Sequence, residues 1–92
     1  MRLIWLESAL EDQDAILDYI AERNEGAARK LQSEIDACSQ RLLDFPFMYH
    51  SGRAPGTREA LAHPNYILIY RVQDDLIEIV NLVHARQQYP PT

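Results

Sequence analysis

Five apolar residues in the middle of the chain, Ala28, Leu31, Ile35, Cys38 and Leu42, recur at steps of three, four, three and four. Steps that alternate in this way keep pace with the 3.6-residue turn of an α-helix and fall on one face of it. Asn24 stands where the helix should begin, and its side chain can accept a hydrogen bond from an amide of the first turn. Gly26 eases the turn into it. Phe45-Pro46 ends the helix, because proline has no amide to donate and restricts the residue before it. A first helix is predicted from Ser8 to about Arg23. Ser8-Ala9-Leu10-Glu11 has the spacing of a capping box, in which hydroxyl and carboxylate each bond the other residue's amide. Ile16 and Ile20, with Ala9 and Tyr19 beside them, supply its buried side. Asp12, Asp14, Asp18 and Glu22 lie mostly on the wet side, Asp12 nearest the apolar stripe and so not expected to be freely solvated. Two capped helices with almost no linker are predicted to form an antiparallel hairpin.

The remaining segments are extended. Residues 2–6 read as a short first strand. Residues 45–56, with Pro46, Gly52, Pro55 and Gly56, read as an ordered loop anchored by Phe45, Phe47 and Tyr49. Strands are predicted at 57–61, 66–72 and 76–84, separated by His63-Pro64-Asn65 and Asp74-Asp75. The predicted fold is α+β: an N-terminal strand, an antiparallel two-helix hairpin, then a mainly antiparallel three-stranded meander that completes a small sheet. The last two strands are apolar on both faces, so both faces should be covered. The hairpin covers one. For the other only residues 86–92 are left over, which predicts docking by another polypeptide; the alternative is that loop 45–56 folds across it.

Ninety-two residues, 47% of them apolar and 25% charged, suit one domain over 1–92. A chain of this size buries only roughly 60–65% of its unfolded surface, so its stability margin should be thin. The single cysteine, Cys38, excludes an internal disulfide, and its place on the helical stripe predicts packing rather than reactivity. The apolar start Leu3-Ile4-Trp5-Leu6 is cut short by Glu7, too early for a signal sequence or a membrane span, so a cytoplasmic address without membrane contact is expected. Residues 1–50 hold five cations against ten carboxylates, whereas residues 51–92 hold four of each. An acidic first half repels phosphate, which argues against direct nucleic-acid binding.

Trp5 with Ala9, Ile16 with Tyr19-Ile20-Ala21, Asn24 with Ala27-Ala28, Leu42 with Pro46, and Gly52-Arg53 follow in an order that is informative as a set. Gly56-Thr57-Arg58-Glu59, Pro64-Asn65-Tyr66-Ile67, Tyr70-Arg71-Val72 and His84-Ala85-Arg86 complete it. From residue 3 to 90 this order resembles the ParE-like branch of the RelE/ParE toxin superfamily, with Glu25 where proline is common. The resemblance implies the toxin of a type II toxin–antitoxin system, held as a hetero-oligomer by a cognate antitoxin that wraps its apolar surface. It also implies one of two targets: DNA gyrase for ParE-like members, or messenger RNA on the ribosome for RelE-like ones.

A metal-free ribonuclease needs an acid and a base for the 2′- and 5′-oxygens and cations on the phosphate. Arg58, Arg71 and Arg86 could clamp phosphate and His84 could move protons, supported by Glu59 or a tyrosine. Ile67, however, stands where a RelE-like nuclease should carry a base just after the aromatic, and the net charge of −5 suits a polyanionic target poorly. Alternation also puts Arg71 in a row with Ile67 and Ile69. The expectation is therefore a non-enzymatic toxin that inhibits DNA gyrase by contact, with plasmid stabilisation and growth arrest as its consequences. The alternatives are a ribosome-dependent mRNA endonuclease and a non-toxic relative that only binds antitoxin and tunes its operon. Tyr66, Tyr70, Arg71, Arg86 and Tyr89 have the composition of a target-contact cluster. Ile67, Ile69, Ile77 and Ile79 are the candidates for antitoxin binding. No cofactor is expected, and no metal, since His50, His63 and His84 are scattered along the chain.

Overall fold

The computed structural model describes residues 1–91. The elements run β1 (Arg2–Trp5), α1 (Glu7–Ala21), α2 (Glu25–Asp44), β2 (Arg58–His63), β3 (Tyr66–Gln73) and β4 (Leu76–His84). They form one four-stranded sheet in the order β1-β4-β3-β2, with β1 parallel to β4 and the later pairs antiparallel. The predicted fold class and element order are those observed. Asn24 caps α2 by accepting from the Ala27 amide, and Phe45 closes its other end. The stripe Leu31, Ile35, Cys38 and Leu42 packs on Ala60, Ala62, Leu68, Tyr70, Ile77, Ile79 and Leu82 of the sheet. Asp74, in the tight turn between β3 and β4, takes a left-handed φ of 51°, which aspartate tolerates better than most residues.

The start of α1 differs from the predicted capping box. The cap falls two residues earlier, at Leu6, with no side-chain bond there. Ser8 instead donates to the Val80 carbonyl at 2.6 Å. The cause lies in β1, which ends at Trp5 opposite Ile79 and leaves the rest of β4's edge unpaired. Leu6 N meets Ile79 O at 2.9 Å, and Asp12 accepts from Leu82 N at 3.0 Å. Four helical residues separate Ser8 from Asp12, about 6 Å along the axis, close to the two-residue repeat of a strand edge. Side chains of α1 thus take over where the backbone ladder stops.

Three further expectations are corrected. Tyr19 is 61% exposed and lies on the Arg23 guanidinium at 3.8 Å. One residue from Ile20, it points about 100° away around the axis, and Leu17 joins Ile16 and Ile20 against the core instead. In the loop after α2, Phe45 and Phe47 are exposed, and Tyr49 alone of the three predicted anchors packs inward, edge-on to Tyr70 at 6.4 Å. Finally, β2 runs over 58–63 rather than 57–61, with its pairing to β3 shifted between Leu61 and His63.

A bulge in β4 reorganises both faces of the sheet. Ile69 pairs with Asn81 and Tyr70 with Ile79, so Val80 is the additional residue. It lets Ile77, Ile79 and Leu82 all turn toward the hairpin. Ile77 and Ile79 are fully buried there, so as antitoxin contacts they are withdrawn: the chain's own helices occupy them. Ile69 and Val83 are fully buried as well, on the opposite face. Of residues 86–92, predicted to be too few to cover that face, the described ones bend back across it. The Tyr89 hydroxyl donates to Asn81 Oδ1 at 2.8 Å, and Arg53 donates to the Gln87 carbonyl at 3.1 Å. Ile69 is thereby also withdrawn as an open contact. What stays open is the β2 margin, where Leu61 is 54% exposed and Ile67 is half-buried.

Candidate functional site

The cations of the second half occupy distinct places. Arg58 opens β2 in register with Tyr70, and its guanidinium donates to the Tyr49 carbonyl and lies 5.1 Å from the centre of the Phe47 ring. Arg71 projects from the other face, where Nε meets Glu78 Oε1 at 2.6 Å across the β3–β4 pair. His84 sits beside Tyr66, whose ring lies 5.3 Å from its own and 5.9 Å from His63. Its Nδ1 accepts from the Arg86 amide at 3.1 Å. Arg86 itself is exposed. From Tyr70, beside Arg58, to Tyr66, beside His84, is four strand positions, about 13 Å. The four residues considered for RNA cleavage are thus spread over two faces and two ends of the sheet, not gathered around one phosphate.

Of the tyrosines considered for target contact, Tyr70 is withdrawn. Its side chain is fully buried and its hydroxyl donates to the Pro46 carbonyl at 2.9 Å; burial pushes the phenol up to about 12. Tyr66 and Tyr89 are half-buried. Burial also raises the Tyr89 phenol, and the Asp12 and Glu59 carboxylates raise it further. Around Tyr89 the structure assembles a group of residues that the sequence did not bring together. Arg53 donates from its backbone amide and from Nε to Glu59 Oε2, at 2.8 and 3.0 Å. Burial raises the Glu59 carboxyl, but the Arg53 amide, guanidinium and charge outweigh it and hold it below the ordinary value. A side chain at Gly52 would meet Thr57 Oγ1 at 2.8 Å and Glu59 Cγ at 3.0 Å, so the loop approaches β2 closely only because residue 52 is glycine. Asn81 lies in the same group; a lone amide among Ile79, Val80, Leu82 and Val83 was the signal that could have found it.

A pocket of about 280 Å³ opens at the β2 margin between His50, Glu59, Leu61 and Ile67. Beside it, the outer edge of β2 from Ala60 to His63 has no strand partner among the described residues.

A small sheet with a helix hairpin on one face is the architecture predicted from the sequence; the open edge of β2 is a finding of the structure. Residues 3–89 match the family described as the ParE toxin of the type II toxin–antitoxin system parDE. The chain belongs to that family. A relative named Toxin RelE2, from Caulobacter vibrioides, is 34% identical over 86 residues, 91% of this chain and 94% of that one. Among solved structures, the chromosomal ParDE system of P. aeruginosa superposes with a TM-score of 0.77 at 24% identity, covering 91% of this chain and 95% of that one. A YoeB/ParE toxin from Agrobacterium tumefaciens superposes with a TM-score of 0.65 at 16% identity, covering 91% and 98%. This ParE-family chain is therefore the toxin of a type II pair, and its partner is an antitoxin.

Proposed function

We propose that this toxin arrests growth by binding DNA gyrase through the surface around residues 85–91, with Arg86 and Tyr89 at its centre and Tyr66 and Arg71 flanking it. One observation carries the reading. Arg86 is an exposed cation on a segment pinned at both ends, whereas Arg58 and Arg71 are engaged by the Tyr49 carbonyl and Glu78. An exposed arginine on a fixed backbone, three residues from Tyr89, suits a protein hot spot; dispersed, internally satisfied cations suit an in-line phosphate clamp poorly. The antitoxin, in the same proposal, docks on Ile67 and Leu61 and pairs with the open edge of β2, the strand-addition mode of peptide recognition.

A second reading, ribosome-dependent cleavage of messenger RNA, is favoured by the name of the Caulobacter relative. Inducing the chain in bacteria separates the two. Loss of supercoiling by purified gyrase, with unaltered transcript ends, is the expected result, and Arg86→Ala is expected to abolish growth arrest while leaving antitoxin binding intact. New codon-positioned transcript ends with unimpaired supercoiling would overturn the gyrase reading.

A further inference from the structure

We propose that Asp12 and Asn81 are positioning residues for target binding: acting through Tyr89, they hold the segment carrying Arg86 in its binding-competent shape. The inference rests on the reading that this segment meets the target.

Three side chains from three parts of the chain form one relay. Asp12 Oδ2, on α1, accepts from Asn81 Nδ2 at 2.9 Å and from the Leu82 amide at 3.0 Å. Asn81 Oδ1 accepts from the Tyr89 hydroxyl at 2.8 Å. The polarity of this relay has one solution. A carboxylate only accepts, so the Asn81 NH₂ must face Asp12; its carbonyl then faces Tyr89, and the phenol must donate. The bulge at Val80 is what aims Asn81 at both partners, since a bulge bends the strand and re-aims a side chain.

The relay pins the far end of a segment whose near end is pinned independently. Ala85 N donates to Asn65 O at 2.7 Å, and Arg86 N donates to His84 Nδ1 at 3.1 Å. Arg53, fixed by Glu59, holds the Gln87 carbonyl between the two. Arg86 therefore sits between fixed points, although a run of residues after a last strand ordinarily frays. An apolar residue at 81 could pack as well beside Ile69. What an amide adds is direction, and a segment ordered beforehand loses less entropy on binding.

The test uses the full-length toxin with its antitoxin and four variants: Asn81→Ala, Tyr89→Phe, the two combined, and Arg86→Ala. Growth arrest, gyrase inhibition, antitoxin affinity, melting temperature and amide order parameters of residues 86–91 are read for each. Asn81→Ala and Tyr89→Phe are each expected to loosen residues 86–91 and to weaken arrest and gyrase inhibition about three- to tenfold, the worth of one hydrogen bond. The double variant is expected to be no worse than either single one, because both break the same relay, and antitoxin affinity is expected to hold. Undiminished order in both single variants overturns the proposal, as does a loosened segment with full toxicity. Losses that add in the double variant and follow the melting temperature overturn it too, since they mark a merely structural role. If Arg86→Ala alone is harmless to toxicity, the target surface is wrong and the positioning role falls with it. If Arg86→Ala is defective and the other two are not, only the positioning role falls. Arrest without gyrase inhibition removes gyrase as the target, and growth arrest then decides the positioning role by itself.

Discussion

Tyr70 shows how much one side chain can settle. Its ring fills the space between α2, β2 and the loop after α2, and its hydroxyl satisfies the Pro46 carbonyl. Burial favours the neutral phenol, so its pKa rises from 10.0 to about 12 on folding. The associated stability is complete below the unfolded value and is lost as pH rises from there through the folded one. Ultraviolet titration is expected to show one tyrosine of the five ionising near 12, together with unfolding. Tyr70→Phe should remove that component and cost about 1 kcal/mol in denaturant unfolding. Glu59 works in the opposite sense. Its carboxyl is held below the ordinary value despite burial, so its contribution is present at neutral pH and disappears as pH falls through the lowered folded value. Glu59→Gln is expected to flatten the acid limb of the stability profile, measurable as a smaller drop in melting temperature between neutral and acid pH.

Among the elements, α2 is the most self-sufficient. Its cap, its five-position stripe and its terminator are all local, and all are observed as the sequence implies. Asn24→Ala is expected to cost about 1 kcal/mol, read from denaturant midpoints, by leaving a first-turn amide without its acceptor. Ile35→Ala is expected to cost about 2–5 kcal/mol by the same measurement, because the residue is fully buried and its deletion leaves a cavity. The first helix depends on its neighbours. Ser8 reads as a cap in isolation, and Asp12 as an acid near the apolar stripe without a defined partner. They became edge partners of β4 because β1 ends at Trp5, leaving backbone groups that have to be met.

For the whole molecule, the proposed docking of an antitoxin segment on the open β2 edge and the pocket at Leu61 and Ile67 adds stability by mass action. Titrating antitoxin is expected to raise the melting temperature in a concentration-dependent way, and to slow hydrogen exchange at the amides of residues 60–63 more than at those of α1. Uniform protection across the molecule would argue against a strand docked on that edge. The charge distribution has the same consequence at long range. The acidic residues cluster in the half of the chain that forms the hairpin, which leaves the sheet side as the less negative approach for a partner.

Elements and their order follow from local rules: a 3.6-residue stripe, a cap, a proline stop, β-branched runs between turns. Each acts over a few residues, so the α2 boundaries and the β4 range 76–84 were legible before any tertiary contact was known. So was the family, because its signature is an order of short pieces along the chain. Burial on the second face of the sheet was not legible. The sequence left Ile77 and Ile79 as candidates for a partner, whereas their pairing with Val72 and Tyr70 puts them in the hairpin core, and one extra residue at Val80 brings Leu82 onto the same face. Nor was the relay from Asp12 through Asn81 to Tyr89, whose members lie 69 and 8 residues apart. A bulge and a bent-back segment change which residues meet without changing any local pattern, so only packing in three dimensions decides them.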